Sequence, residues 1–168
     1  DISLQEHLRE LAGKNHGTDT LVSFLGGGAY DHFIPPVVDA LAGHSAFVTA
    51  YTPYQAETSQ GALQIFYEYQ TLIAELAGLD VSNASMYEAG SAVAEAVLMA
   101  RDLTMRTRVL VGGNVHPEYI QVLRTYLAAL PMKIEILATP NGVIDVADLA
   151  ARVDAQTAAV VVQQPDFF

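Results

Sequence analysis

The sequence contains no cysteine and has only eight Lys and Arg against nineteen Asp and Glu. The missing thiol excludes a disulfide scaffold, a thiolate zinc site and a cysteine nucleophile. Eight cations are too few for a phosphate-neutralising face, and the balance of 8 − 19 = −11 argues against nucleic-acid binding. Adsorption to an anionic membrane surface is disfavoured for the same reason. No run approaches the ~18 consecutive apolar residues of a membrane span, and no basic–apolar leader opens the chain. A soluble cytoplasmic protein is the expectation.

Metal and amine chemistry are also thinly provided. His7, His16, His32 and His44 have no partner at i,i+4 and no carboxylate at ligand spacing, so no metal site is expected. Only two lysines exist, Lys14 and Lys133. A Schiff-base enzyme needs a desolvated amine or one beside positive charge. Lys14 closes a helix in a polar stretch, and Lys133 opens a strand at the amino end of a sheet, so neither is a credible covalent anchor.

What is present is a core. Of 168 residues, 51% are hydrophobic and 16% charged, which excludes disorder and predicts one domain. The chain starts at Asp1 without Met and stops at Phe167-Phe168 directly after a strand-like run. A natural terminus is more often polar, so a piece of a longer polypeptide is expected.

Ser3 and Glu6 form a capping-box pattern before Leu4, Leu8, Leu11 and Ala12 on one helical face. Residues 21–61 read as irregular, with a short helix from Pro35-Pro36 to Leu41 and a stop at Gly43. Gly26-Gly27-Gly28 lacks dinucleotide-binding spacing and precedes no clear βαβ unit. A long helix is predicted from Ser59 to Ala77, with Leu63, Phe66, Ile73 and Ala77 as its buried stripe and Gly78 as C-cap. A second, rich in Ala and Val, runs from Gly90 to Met105 and suits close packing on a sheet.

From Arg108 the pattern alternates. Strands are predicted at 109–111, 133–138 and 158–163, the last as a strand covered on both faces. Helices are predicted at 117–130 and 145–153. Strand–helix–strand–helix–strand gives an α/β fold with a mostly parallel sheet behind an N-terminal helical and loop segment. Ligands of such sheets sit beyond the carboxyl ends of the strands, here residues 112–117, 138–142 and 164–168, with the helix entrance at Gly90-Ser91 able to join them.

That entrance offers backbone N–H groups to a phosphate; it reads equally as an ordinary helix cap, and Glu88 adds unfavourable charge. His116 lies just past a strand end, a functional address and an ordinary loop position alike. Six tyrosines, Tyr30, Tyr51, Tyr54, Tyr67, Tyr69 and Tyr87, crowd the first half. Tyrosine suits an interface or ligand mouth, and core packing with satisfied hydroxyls explains it as well. A non-catalytic, anion-binding or scaffolding α/β module is therefore one reading of the residues alone. An independent enzyme using Lys14 or Lys133 is another.

Several blocks resemble one family. The segment Phe24-Leu25-Gly26-Gly27-Gly28-Ala29-Tyr30-Asp31-His32-Phe33-Ile34-Pro35, the block Tyr51-Thr52-Pro53-Tyr54-Gln55 with Ser59-Gln60-Gly61, then Asn83-Ala84-Ser85, residues 90–96, Asn114-Val115-His116-Pro117-Glu118-Tyr119 and residues 160–168 are similar, in order, to glycine decarboxylase, the P-protein of the glycine cleavage system. The likeness covers essentially the whole chain and points to subunit 1, or the amino-terminal half of the one-chain form. It implies part of the large domain of a fold type I pyridoxal phosphate (PLP) enzyme, with residues 1–61 as a helix and loop arm and 62–168 as the start of the α/β domain. It further implies a heterotetramer with a catalytic subunit 2 that carries the Schiff-base lysine, so that no catalytic residue belongs to this piece and PLP is not bound by it.

The activity implied is an oxidoreductase's: glycine is decarboxylated with PLP as electron sink, and the aminomethyl group passes to the lipoyl disulfide of H-protein. By the same resemblance Tyr30, Tyr51, Tyr54, Gln55 and Gln60 are expected at the substrate mouth or subunit interface. Gly90, Ser91 and His116 stand at cofactor-like positions, His116 being followed by Pro117 where the catalytic half has Gly.

Overall fold

The computed structural model describes residues 1–18, 20–24, 32–48 and 52–168. Tyr30, Tyr51 and Gly26-Gly27-Gly28 lie outside the described residues. The chain divides into two compact units, Asp1–Tyr54 and Gln55–Phe168.

The first unit holds α1 (Ile2–Ala12), α2 (Pro36–Ala42) and α3 (Ser45–Val48). Asp1, not Ser3, caps α1: its carboxylate accepts the Ser3 N–H at 3.1 Å and the Ser3 hydroxyl at 2.9 Å. The expected capping box is thus displaced by a shorter carboxylate two residues upstream. Pro35 and Pro36 start α2 and Gly43 ends it, as expected from the fixed φ of proline. Neither α1 nor α2 buries a residue, and Leu4, Leu8 and Leu11 are all exposed.

The second unit opens with α4 (Gln60–Ala77), which Gly78 ends in the left-handed conformation at φ 66°. The predicted stripe is not buried. Leu63 and Phe66 are exposed, Ile73 is partly covered, and Ala74 alone is buried. The Gln70 amide donates to the Ser82 carbonyl at 2.6 Å and ties α4 to the chain that follows it.

Next come α5 (Ala89–Thr104), β1 (Arg108–Gly112), α6 (Pro117–Leu127), β2 (Lys133–Leu137), a one-turn 3₁₀ segment (Pro140–Gly142), α7 (Val146–Arg152) and β3 (Thr157–Val161). The three strands are parallel in the order β2-β1-β3, with Val109 opposite Ile134 and Ala159. Central β1 is the strand buried on both faces. Among the three strands β3 is outermost, with Val160 exposed.

Helical spacing explains the core. Gly90, Ala94 and Val97 recur on one face of α5, and Leu123 and Leu127 on one face of α6. They close over Val109, Val111 and Val115 to form the buried cluster. At the amino edge of the sheet, Arg108 pairs with Asp154 at 2.9 Å and Arg152 with Glu135 at 2.7 Å. Lys133 opens β2 at that same edge, beside Arg108 in register, and is exposed.

Candidate site at the carboxyl edge of the sheet

β1 and β3 are neighbours in the sheet and not in sequence, and the loops leaving their carboxyl ends meet at the edge where ligands of parallel sheets sit. Residues 113–116 after β1 and 162–168 after β3 line it, and side chains tie them together. Asn114, 8% exposed, donates from Nδ2 to the Gly142 carbonyl at 3.2 Å and to the Asp166 carboxylate. One amide thereby joins the loops that follow all three strands. Asn114 Oδ1 is buried without a hydrogen-bond partner and faces Gly112, where an added Cβ would meet it at 2.7 Å. Asp166 also accepts the Phe168 N–H at 2.9 Å.

His116 is half-buried at the start of α6. Its backbone N–H donates to Gln163 Oε1 at 2.8 Å, a second strap between the β1 and β3 loops. Its Nδ1 accepts the Glu118 N–H at 3.2 Å, which fixes the proton of the neutral ring on Nε2. The ring stacks on Tyr119 at 4.7 Å between centroids and 28° between planes, and Phe167 lies 5.8 Å away on a tilted plane. Proline at the first helical position leaves the cap to the residue before it, so His116, a candidate site residue, is the cap of α6.

A three-residue link joins α5 to β1, which returns the N-terminus of α5 to this same edge. Glu88, extended at φ −161° and ψ 169°, caps the helix with both carboxylate oxygens. Oε1 accepts the Ser91 N–H at 2.6 Å and Oε2 accepts the Gly90 N–H. The Ser91 hydroxyl donates back to the Glu88 carbonyl at 3.1 Å. These bonds, that from Ser91 first, hold the Glu88 carboxyl below its ordinary pKa of 4.5 against a smaller opposing desolvation. Gly90 is buried against α6: an added Cβ would meet Glu88 Oε2 at 2.7 Å, Val122 Cγ2 at 3.2 Å and Tyr119 Cδ1 at 3.4 Å. Gly90, Ser91 and His116 are therefore brought together, linked through Tyr119.

The residues expected at a substrate mouth or interface are distributed differently. Tyr54 is 83% exposed at the end of the first unit. Gln55 and Gln60 are exposed at the start of the second, with the Gln55 amide donating to Glu57 at 2.9 Å. Asn114, Tyr119, Gln163 and Asp166 are the site residues that a reading of the sequence as isolated motifs misses. Their shared signal is position: polar or aromatic residues within a few places of a strand end. Among the described residues, no group of three His, Asp or Glu side chains could hold a metal ion, and no helix is long and apolar enough to cross a membrane.

The arrangement can hold and orient; it offers no amine. Against known proteins, residues 1–168 match the family model described as glycine cleavage system P-protein. A protein of Desulforamulus reducens named "Probable glycine dehydrogenase (decarboxylating) subunit 1" is 49% identical over the whole chain, and one of that name in Chlorobium chlorochromatii is 54% identical over 96% of it. The chain spans 38% and 36% of those relatives' lengths. A crystal structure of glycine decarboxylase (P-protein) of the glycine cleavage system, in inhibitor-bound form, superposes with a TM-score of 0.86 at 50% identity, covering 98% of this chain and 36% of that one.

Proposed function

Since the chain belongs to the glycine cleavage system P-protein family, we propose that it serves as part of a subunit 1 that completes, and does not own, a glycine-decarboxylating site. The observation that carries this is the placement of amines. Both lysines are exposed: Lys14 follows the end of α1, and Lys133 stands at the amino edge of the sheet, opposite its carboxyl edge. PLP, when bound in such an enzyme, supplies an electron sink for the loss of CO2. On this reading a catalytic subunit 2 carries it, with glycine as substrate and a lipoylated H-protein as acceptor, in the cytoplasm. The helix and loop arm, residues 1–61, and the start of the α/β domain, residues 62–168, then shape the wall and the interface. Tyr30, Tyr51, Tyr54, Gln55 and Gln60 bind and orient there as hydrogen-bonding groups.

Exposed Leu63, Phe66 and Leu76 on α4 support a large interface with an apolar core, because a helix that is apolar on most sides is covered in its working assembly. The test is exchange of label between glycine and bicarbonate. The full-length subunit carrying this chain is expected to show none alone and to show it when mixed with a catalytic subunit. Exchange by the full-length subunit alone at the rate of the pair would overturn the proposal.

A further inference from the structure

We propose that Glu88 is a built-in anion that closes the N-terminus of α5 to phosphorylated ligands, so that the carboxyl edge of this chain's sheet holds no phosphorylated cofactor of its own. The inference goes beyond the subunit assignment: it concerns what this chain excludes, whichever polypeptide completes the enzyme.

An α-helix presents four unpaired N–H groups at its start, and with the aligned peptide dipoles they attract anions. In α5 those groups are Glu88, Ala89, Gly90 and Ser91, since the Ala92 N–H already makes the first bond of the helix, to the Glu88 carbonyl at 3.1 Å. The Glu88 carboxylate takes Gly90 and Ser91. A phosphate would have to expel a carboxylate held by two N–H groups. If it stayed beside that carboxylate it would meet a like charge.

The surroundings do not compensate. The site's own groups, Glu88, Asn114, His116, Glu118, Tyr119, Gln163 and Asp166, include three carboxylates and no lysine or arginine. The same edge also lacks an amine to anchor a carbonyl, and the His116 ring is already stacked on Tyr119 with Phe167 close by. Buried Gly90, a position suited to a cofactor cradle, is accounted for instead by the Glu88 carboxylate and by Val122 and Tyr119 of α6. Phosphate site, ring platform and anchor are therefore each unsuited to PLP, for three separate reasons.

The experiment separates an excluding anion from a mere cap. Glu88→Ser keeps a capping oxygen and removes the charge, and Glu88→Gln keeps the length and one acceptor. The full-length subunit without its partner is titrated with inorganic phosphate, followed by thermal shift, and with PLP and pyridoxal, followed by difference absorbance. The parent is expected to give no saturable phosphate-dependent binding. At least one of the variants should gain saturable phosphate binding that the parent lacks, since removing the charge frees the helix end for an external anion. PLP should likewise gain over pyridoxal in that variant alone. Saturable binding of PLP by the parent, tighter than that of pyridoxal, would overturn the inference. So would two folded variants that bind phosphate no better than the parent. Failure on either count leaves the exchange experiment on the reconstituted pair unaffected, so the two proposals fall separately.

Discussion

Replacing Asn114 tests whether one buried amide assembles the carboxyl edge. Its Nδ2 makes one bond to a neutral carbonyl and one to the Asp166 carboxylate. Such bonds contribute about 0.5–1.5 and about 1.5–3 kcal/mol respectively, the second discounted because Asp166 is partly exposed. Against this stands Asn114 Oδ1, buried without a partner, whose removal returns about 1 kcal/mol. Asn114→Leu, which keeps the branched heavy-atom skeleton, should therefore cost about 2 kcal/mol. Asn114→Asp should cost more at neutral pH, because a carboxylate then faces both the Gly142 carbonyl and Asp166.

The two variants also separate by pH. Facing Asp166, the new carboxyl has a folded pKa raised above its unfolded value of about 3.9. The raised value favours the protonated form in the folded state, so the deficit is smallest below about pH 4 and grows as pH rises through the folded pKa. Urea unfolding of the full-length subunit between pH 4.5 and 7.5, with amide exchange over residues 113–116, 139–142 and 163–168, measures both effects. An Asp variant as stable as the Leu variant at pH 7, or a deficit that does not change with pH, would refute the reasoning.

Leu123→Ala empties a fully buried position in the α5–α6–β1 cluster and should cost about 2–5 kcal/mol, read as a lower urea midpoint at unchanged slope. The Glu88 carboxyl, with its pKa lowered by the Ser91 and Gly90 bonds, contributes stability above about pH 4.5 that is lost as pH falls through the lowered value. Glu88→Gln should therefore flatten the acid limb of the stability profile, and an unchanged limb would count against the cap. Tyr54→Phe should leave the melting temperature unchanged, given 83% exposure, and lower turnover of the reconstituted pair by about twofold to tenfold if the hydroxyl holds a group at the mouth. Equal turnover would demote Tyr54 to a surface ring.

Where the sequence was legible, a local rule and the tertiary fold agreed. Pro36, Gly78 and Pro117 mark helix ends through their own backbone restrictions, and those ends stand within a residue of expectation. The α5 face of Gly90, Ala94 and Val97 follows from small residues at helical spacing. The failures occur where burial depends on neighbours. The Leu63–Phe66 stripe has helical period, and period reports that a face exists without reporting what lies against it. Likewise Val160-Val161-Val162 has the composition of a central strand, and composition does not say which strands stand beside it. At the site, His116 was visible by its position after a strand. Asn114 and Asp166 were not, because their pairing spans 52 residues and only the parallel register brings them together.

Glu88 shows why the type of a residue is not enough to judge a site. In the sequence it is one acid among nineteen Asp and Glu, and it counts only as charge that weakens an anion site. In the structure its extended backbone turns the carboxylate onto Gly90 and Ser91, so the same charge satisfies the helix instead of opposing a ligand from a distance. The energetic sign at the helix end is favourable either way, since the dipole accepts any anion. What changes is who supplies it. An anion carried on the chain is present at high effective concentration and cannot diffuse away, so a free phosphate competes against an intramolecular rival. Excluding a ligand here requires no steric block: it follows from satisfying the same N–H groups from within.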